Sequence, residues 1–426
     1  AFRGFGGPQG MLAMECAMDE LAYKAGLEPL SFRQKNLYRP GFATTPYGQN
    51  VESFILPELI DELAKQASYW ERRGEIKRVN SRGQRWIKGI SLNPVKFGIS
   101  FTTTHLNQAG SLINIFEDGS IEVNHGGTEM GQGLFTKIKG IVAREFGVDV
   151  GVIRNTSTRT DKVPNASPTA ASSGADLNGM AVLEACRTIK ANLCAFARDT
   201  LGWSSEPVFL NNRVSPSDDK SGADAISFSA FIEKAYLART ALSAKGFYKT
   251  PNLFVDKDAG IGSPFYYFAN CAAVSEVAVD RLTGNYFVSR VDILHDAGNS
   301  LNQTIDLGQI EGGFVQGLGW LTTEELQWSE NGTILTDGPA NYKIPTAHDV
   351  PEILNVRFFK RENSVPTVSR SKAVGEPPLM LAISVWCALR DACASVANYK
   401  LMPKLSVPAT SEQVYYCIED AARAAS

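Results

Sequence analysis

The stretch SKAVGEPPLMLAISVWCALRDACASV, residues 371–396, places one carboxylate directly before the most apolar segment of the chain. Glu376 stands between a glycine and two prolines, which are unusual neighbours for a surface acid. Residues 379–389 are apolar on nearly all helical faces, which predicts a helix buried in the core. Glu376 therefore lies at the entrance to a buried element. There it either caps the helix, pairs with Lys372 or Arg370, or takes part in chemistry.

Composition indicates a soluble, globular chain. The 426 residues are enough for more than one domain, with 44% hydrophobic and 20% charged residues. The net charge of -3 gives no general attraction to nucleic acid or anionic membrane. No apolar run reaches the ~20 residues that cross a bilayer. We expect no nucleic-acid and no membrane partner, and the start inside the glycine loop AFRGFGGPQG suggests a piece of a longer protein.

The cysteines and histidines do not form metal-binding patterns. The seven cysteines include no CxxC pair, which favours free thiols in a reducing compartment and hence a cytoplasmic protein. The four histidines include no close pair of the kind that zinc sites use. We therefore expect no metal held directly by side chains of this chain.

Hairpins mixed with long helices predict an α+β fold. Asp118-Gly119 and Thr283-Gly284 are typical of tight turns between strands. Residues 134–147 predict an amphipathic helix that ends at Gly147, and a long helix is predicted from Ser167-Pro168 to about Gly202.

The charged segment Tyr69–Trp86 indicates a boundary between two domains. It carries two glycines and few apolar residues. We place the domains at residues 1–85 and 86–426.

Four loops of small residues lie at or near predicted helix starts. Three are rich in glycine, and the fourth, SPTAASSG, is small rather than glycine-rich; they cover Phe2–Gly10, His125–Gly133, Ser167–Gly174 and Gly308–Gly319. Helix N-termini favour anions, and small side chains let the backbone approach a ligand closely. One such loop is usually a turn, but four together predict one large phosphate-bearing organic cofactor. None of them has the pattern of a phosphate loop or a dinucleotide-binding loop.

Seven motifs, four of which overlap these loops, carry a family resemblance. AFRGFGGPQGM, GISFTTTHLNQAG, HGGTEMGQGL, PNASPTAASSGADLNG, LSAKGFYKTPN, DLGQIEGGFVQGLG and SKAVGEPPL resemble, in order, motifs of the xanthine dehydrogenase / xanthine oxidase family of molybdenum hydroxylases. The resemblance spans Phe2 to Leu379. It implies the C-terminal part of the molybdopterin-binding region, with residues 1–85 ending a first domain and residues 86–426 forming a second.

The resemblance also implies roles for single residues. Glu376 matches the general base, while Phe5 and Phe101 match aromatic residues that hold a flat heterocycle. Thr102 matches a residue that bonds a substrate oxygen. The molybdenum is implied to be held through the pterin, near Arg3 and Ala171. The implied cofactor contacts are Arg3, Gln132, Ala170, Ala171, Ser172 and Gln309.

The reaction implied by the resemblance is hydroxylation of hypoxanthine to xanthine and then to uric acid, with water as the oxygen source. Electrons would leave through 2Fe-2S centres and FAD to NAD on other segments or chains, in a dimer of the full assembly. The remaining molybdenum-domain segment, which in the family carries a substrate-binding Glu and Arg, would be a further partner.

Two other interpretations stay open. The first is an aldehyde or N-heterocycle hydroxylase of the same fold, although Arg3-Gly4-Phe5 and Glu376-Pro377-Pro378 favour the purine-oxidising branch of the family. The second is a non-catalytic subunit that only holds the cofactor. The presence of Glu376, together with Phe5 and Phe101, argues against the second.

Overall fold

The structure, a computed structural model, describes residues 2–51 and 53–425. The helices are α1 (Gly7–Lys24), α2 (Pro29–Lys35), α3 (Ile55–Gln66), α4 (Tyr69–Asn80), α5 (Leu134–Phe146), α6 (Gly174–Asp199), α7 (Phe228–Leu237), α8 (Gln303–Thr322), α9 (Pro377–Met380), α10 (Ile383–Val396) and α11 (Ser411–Ala425). The strands are β1 (Trp86–Ile99), β2 (Gln108–Ile115), β3 (Ile121–His125), β4 (Ile153–Asn155), β5 (Pro207–Leu210), β6 (Arg213–Pro216), β7 (Ile226–Ser227), β8 (Ser243–Lys249), β9 (Phe254–Asp256), β10 (Ile261–Ser263), β11 (Tyr267–Asp280), β12 (Tyr286–His295) and β13 (Ile353–Phe358).

The first large sheet has the strand order β1-β11-β12-β13. β1 and β11 pair antiparallel along their whole length, from Trp86 opposite Asp280 to Ile99 opposite Tyr267. The apolar helix α10 covers one face of this sheet. A Cβ atom placed on Gly89 of β1 would lie 1.9 Å from the carbonyl oxygen of Ala388 in α10, so only glycine permits this contact.

The helical run Pro377–Val396 is as buried as its composition predicts. By length and composition alone it could cross a membrane, so the prediction that no segment is that long and apolar was wrong on this count. Within the structure 94% of its apolar window is buried, as in the core helix of a globular fold. Its charged residues also have protein partners: Arg390 donates from Nε to the carbonyl of Pro403 at 3.1 Å, and Asp391 pairs with Arg73.

The opposite face of the first sheet is covered by α3 and α4. The charged segment predicted as a domain boundary forms α4 and the short turn that leads into β1. One continuous core joins these helices to the sheet, with Ile55, Leu59, Leu63, Tyr69 and Ile76 packed against Ile90, Leu92, Ala272, Val274 and Leu294. The division at residue 85 stays a prediction, and the two sides of it share buried apolar surface.

The second large sheet has the order β4-β3-β2-β8 and packs against α5 and α6. The hairpin at Asp118-Gly119 is confirmed, because Gly119 has φ +85° and β2 and β3 pair around it. The hairpin at Thr283-Gly284 and the helix that ends at Gly147 are confirmed as well. The α+β class predicted from the sequence is therefore confirmed.

The predicted start of the long helix was wrong. α6 begins at Gly174, not at Ser167-Pro168, because Ala171 and Ser172 have φ values of 54° and 55°. This left-handed region is costly for residues with a Cβ atom and interrupts a helix. The strained turn falls inside the loop that the sequence assigned to a cofactor, where such strain is often functional.

A buried ionic cluster anchors α1 to the rest of the fold. Arg33 donates from Nε to Glu15 Oε2 at 2.6 Å and from Nη2 to Asp19 Oδ1 at 2.7 Å, and all three side chains are buried. Burial lowers the pKa of Arg33, but the two carboxylates outweigh it and raise that pKa above its ordinary value. Glu15 also accepts a hydrogen bond from Asn93 of β1 at 2.6 Å. The cluster therefore fixes the position of the loop that precedes α1.

We expect Arg33→Met to destabilise the protein by about 3–5 kcal/mol, because it leaves the buried Glu15 carboxylate without its cation and removes the closer cation from buried Asp19, beside which Arg390 remains at 3.9 Å. Arg78→Met is the matched control, since Arg78 is exposed, pairs with exposed Glu75 and should contribute about 0–1 kcal/mol. Urea denaturation of both variants measures the difference. Equal losses in the two variants would show that the cluster does not hold the fold together.

Candidate active site

Three segments distant in sequence meet at the Glu376 carboxylate. Its Oε2 accepts a hydrogen bond from the Ser172 hydroxyl at 2.8 Å, and its Oε1 accepts one from the backbone N–H of Gly4 at 3.2 Å. The Ser172 oxygen in turn accepts the backbone N–H of Glu376 at 2.7 Å. The first glycine loop and the turn before α6 thus fix both the backbone and the side chain of Glu376.

Neither structural role considered for Glu376 is present. Its side chain makes no capping hydrogen bond to the helix that follows. Lys372 pairs instead with buried Asp296, and Arg370 donates to the carbonyl of Ser364 at 2.9 Å. Within the described residues, no cationic side chain lies within 4.0 Å of the Glu376 carboxylate. The carboxylate is thus oriented by neutral donors and keeps lone pairs free.

Burial tunes the proton affinity of Glu376. Burial raises the pKa of this carboxyl above its ordinary value, and the Ser172 hydroxyl, the Gly4 N–H and the charge of Arg3 only partly oppose it. Glu376 therefore binds a proton more readily than a glutamate in solution does. Such a group is suited to accept a proton near neutral pH.

Arg3 ties the Glu376 loop to helix α8. Its Nε donates to the carbonyl of Gly375 at 2.6 Å, Nη1 donates to Gln316 Oε1 at 3.2 Å, and Nη2 donates to the carbonyl of Gln309 at 3.3 Å. Burial lowers the pKa of Arg3, and the charge of Glu376 raises it. A guanidinium has five N–H groups, so within the described part of the chain two remain for an anionic ligand.

Two glycines make these close contacts possible. A Cβ atom on Gly375 would lie 2.8 Å from Ser172 Oγ. A Cβ atom on Gly313 of α8 would lie 2.7 Å from Pro378 Cβ and 2.9 Å from Arg3 Nη2. A larger residue at either position would push apart the loops that hold Glu376.

The predicted aromatic residues lie on two neighbouring segments. Phe5 is 77% exposed and has φ 42°, so its ring is available to a ligand. A Cβ atom on Gly7 would lie 2.7 Å from the ring of Phe97, which places the Phe5 loop beside the end of β1. β1 continues into half-buried Phe101 and exposed Thr102.

Asn107 holds the turn that carries Phe101, a role that no pattern in the sequence predicts. Its Oδ1 accepts the N–H of Phe101, and its Nδ2 donates to the carbonyl of Phe101, both at 2.8 Å. The buried amide therefore fixes the backbone of Phe101 from both sides.

The loop before α5 differs from the prediction that its helix start would bind phosphate. The Glu129 carboxylate already accepts the N–H groups of Gly131, Gly133 and Phe135 at 2.9, 3.0 and 2.9 Å. Although burial opposes it, these and the Met130 N–H lower the pKa of Glu129. The chain's own carboxylate thus fills the anion site. An acid in a glycine loop just before a helix is the sequence signal for this capping role.

Gln132 is also engaged within its own loop. Its Nε2 donates to the carbonyl of Thr128 at 2.7 Å, so its side chain folds back onto the loop. The N–H of Thr128 donates to Thr169 Oγ1 at 2.8 Å, which joins this loop to the turn that carries Ala170 and Ala171.

Four glycines in these loops border open space. Cβ atoms on Gly6, Gly131, Gly308 and Gly312 would meet no atom within 4 Å. Lys137 of α5 pairs with Asp306 of α8, which joins the helix after the second loop to the helix that contains the fourth. Gln309 contributes its carbonyl to Arg3 and lies half-buried on the same helix. In the described part of the chain, no group of three or more His, Cys, Asp and Glu could hold a metal ion.

Comparison with known proteins gives matches along nearly the whole chain. The family model described as "Molybdopterin cofactor-binding domain" matches residues 62–351, and a second model with the same description matches residues 1–37. Mouse xanthine dehydrogenase/oxidase is 43% identical over 421 residues, which cover 97% of this chain and 30% of the mouse protein. Xanthine dehydrogenase of Blastobotrys adeninivorans is 42% identical over 424 residues, covering 97% and 28%. The chain thus spans less than a third of these relatives.

Solved structures share the fold at lower sequence identity. CO dehydrogenase from Oligotropha carboxidovorans superposes with a TM-score of 0.82 at 21% identity, covering 98% of this chain and 52% of that one. Quinoline 2-oxidoreductase from Pseudomonas putida 86 has a TM-score of 0.81 at 23% identity, covering 99% and 53%.

We expect Glu129→Gln to destabilise the protein by about 1 kcal/mol, as other lost helix caps do. Because the pKa of Glu129 is lowered in the folded state, its contribution is present above the ordinary pKa of glutamate, 4.5, and is lost as pH falls through the folded pKa. The gap between wild type and variant should therefore close in acid. Glu117→Gln, in an exposed turn, is the control for loss of charge. A gap that does not depend on pH would contradict the capping role.

Proposed function

The chain belongs to the molybdopterin cofactor-binding domain family, and we propose that it supplies the catalytic base of a molybdenum hydroxylase that acts on purines. The observation that carries this proposal is Glu376, a carboxylate with a raised pKa that accepts hydrogen bonds from the neutral donors Ser172 and Gly4 and, among the described residues, has no cationic side chain within 4.0 Å. The 43% identity to mouse xanthine dehydrogenase/oxidase supports hypoxanthine and xanthine as substrates.

The residues of the site fit a molybdopterin. Arg3 offers two N–H groups to an anionic cofactor, and exposed Ala170 and half-buried Ala171 present small surfaces at a strained turn. Ser172 and Gln309 lie beside them, while Gln132 would have to leave its bond to Thr128 to reach a ligand. Because Glu129 already fills the N-terminus of α5, we place the anionic part of the cofactor on the Arg3 side. The bound cofactor would supply the oxygen-transfer and two-electron redox chemistry of the reaction.

The residues of the chain would bind the substrate and move one proton. A flat purine lies between Phe5 and Phe101, and the Thr102 hydroxyl bonds a substrate oxygen. Glu376 accepts the proton of the attacking, water-derived oxygen on a lone pair of its carboxylate that neither Ser172 nor Gly4 uses. Removing this proton makes the oxygen a stronger nucleophile toward an electron-poor purine carbon.

The whole protein would contain the parts that this chain lacks. Since the chain covers about 30% of its relatives' length, we propose that 2Fe-2S centres, FAD and an NAD site lie on other segments or chains. The rest of the molybdenum region, a dimeric assembly and a cytoplasmic location complete the proposal. An N-heterocycle hydroxylase is the second candidate, because two aromatic residues beside one base would suit any flat heterocycle.

We expect Glu376→Gln in the complete protein to slow reduction of the metal centre by xanthine at least a hundredfold, as loss of a general base does. The glutamine can accept the Gly4 N–H and donate to Ser172 Oγ, so the loop should keep its place. Molybdenum content and melting temperature should therefore stay normal. Glu352→Gln, on the surface, is the matched control.

Stopped-flow reduction against pH adds a second criterion. In wild type the acid limb should lie above pH 4.5, the ordinary pKa of glutamate, because the raised pKa keeps Glu376 protonated to higher pH. A near-normal reduction rate in Glu376→Gln with a lowered melting temperature would show that Glu376 is structural.

We expect Arg3→Ala to lower molybdenum content, because it removes an anion-binding guanidinium and frees the Gly375 carbonyl from α8. Metal analysis of the purified complete protein measures this. Arg82→Ala, on an exposed turn, should leave the content unchanged. Full metal content with normal turnover in Arg3→Ala would leave Arg3 without a role in the site.

A further inference from the structure

A second series of hydrogen bonds connects helix α6, through Tyr267, to the loop that carries Glu376. The backbone N–H of Ala373 donates to the Tyr267 hydroxyl at 2.9 Å, and that hydroxyl donates to Asp176 Oδ2 at 2.7 Å. Tyr267 is the first residue of β11, and Asp176 lies in the first turn of α6. Tyr267 is 5% exposed and Asp176 is 8% exposed, so water does not compete for these bonds.

This series of hydrogen bonds joins the same two segments that the Ser172 hydroxyl already joins. Asp176 lies four residues after Ser172, and Ala373 lies three residues before Glu376. The start of α6 is therefore connected to the Glu376 loop at two points, once through the Ser172 hydroxyl and once through Tyr267. Two points of attachment restrain both the position and the tilt of a loop, whereas one leaves it free to rotate.

Burying the Asp176 carboxyl in this second link costs free energy, which indicates that the link has a function. Burial raises the pKa of Asp176 to about 7, because neither the Tyr267 hydroxyl nor the charge of Lys137 compensates for it. Lys137 is itself paired with Asp306 and makes no ion pair with Asp176 in the described structure. A buried carboxyl without a cation is expensive, and an apolar pair would fill the same space at lower cost.

We propose that Asp176 and Tyr267 are positioning residues that hold the Glu376 carboxylate in the orientation required for proton transfer. This inference rests on the proposed function of Glu376 as the base. Tyr267 acts through the Ala373 N–H, and Asp176 acts by orienting the Tyr267 hydroxyl so that its lone pair faces that N–H. Neither residue is proposed to touch the substrate.

The test uses the complete, metal-loaded protein and two phenylalanine variants. Tyr267→Phe removes the hydroxyl that accepts the Ala373 N–H. Tyr286→Phe is the control, because the Tyr286 hydroxyl donates to the carbonyl of Ala409 at 2.7 Å in the same sheet but away from the site. Asp176→Ala removes the acceptor for Tyr267, and Asp176→Asn keeps an acceptor oxygen and should rescue it.

Two readouts separate positioning from general stability. Hydrogen exchange of the peptide that contains Ala373 should become at least tenfold faster in Tyr267→Phe and Asp176→Ala, and stay unchanged in Tyr286→Phe and Asp176→Asn. The rate of metal reduction by xanthine should fall about tenfold in Tyr267→Phe and Asp176→Ala. It should stay unchanged in Tyr286→Phe and Asp176→Asn, with equal molybdenum content in all four variants.

The outcomes distinguish this inference from the proposed function. If Tyr267→Phe and Tyr286→Phe behave alike in exchange and in rate, the positioning role is overturned, while a slow Glu376→Gln would still support the base. If Glu376→Gln is fully active, the proposed function fails. The hydrogen-exchange data alone then decide whether Tyr267 and Asp176 hold the loop at Ala373. If Asp176→Asn exchanges as fast and reduces the metal as slowly as Asp176→Ala, Asp176 does not orient the Tyr267 hydroxyl.

Discussion

The site depends on the paired hydrogen bonds between Ser172 and Glu376. The serine hydroxyl donates to the Glu376 carboxylate and accepts the Glu376 N–H, at 2.8 and 2.7 Å, so one side chain fixes both the backbone and the carboxylate. This contact requires the left-handed turn at Ser172 and the missing side chain at Gly375. Arg3 and Gly4 then close the arrangement from the first loop of the chain. The Glu376 carboxylate is therefore oriented without a direct ion pair.

Two glutamates in neighbouring loops show how environment assigns a role. Glu129 accepts several backbone N–H groups at the start of a helix, and its pKa falls. Glu376 stands before a helix whose first two residues are prolines, which donate no N–H, and burial therefore dominates its pKa. The first glutamate is suited to stay ionised as a cap. The second is suited to exchange a proton.

Local patterns predicted most of the elements that surround the site. The hairpin at Asp118-Gly119, the helix that ends at Gly147 and the buried helix after Glu376 follow from turn chemistry and hydrophobic periodicity, which act over a few residues. The start of α6 was misplaced because Ser167-Pro168 looks like a helix start, while the strained turn at Ala171 is held by contacts with a loop some 200 residues away. The hydrogen bonds from Tyr267 to Ala373 and Asp176 could not be predicted either, because they join residues far apart in the sequence. A tyrosine at the start of a strand has many possible partners. The convergence of the loops was predicted from their composition, but the helix end closed by Glu129 was not.

Burial raises the pKa of Glu376 by more than Ser172, Gly4 and the charge of Arg3 lower it, and this leaves the carboxylate ready to accept a proton. An infrared titration of the complete protein, taken as the difference between wild type and Glu376→Gln, isolates the protonated carboxyl band of this one residue. We expect the band to persist above pH 4.5, the ordinary pKa of glutamate, and to disappear only at higher pH. A band that is lost at or below pH 4.5 would show that Glu376 is stabilised as an anion, which would contradict its assignment as the base.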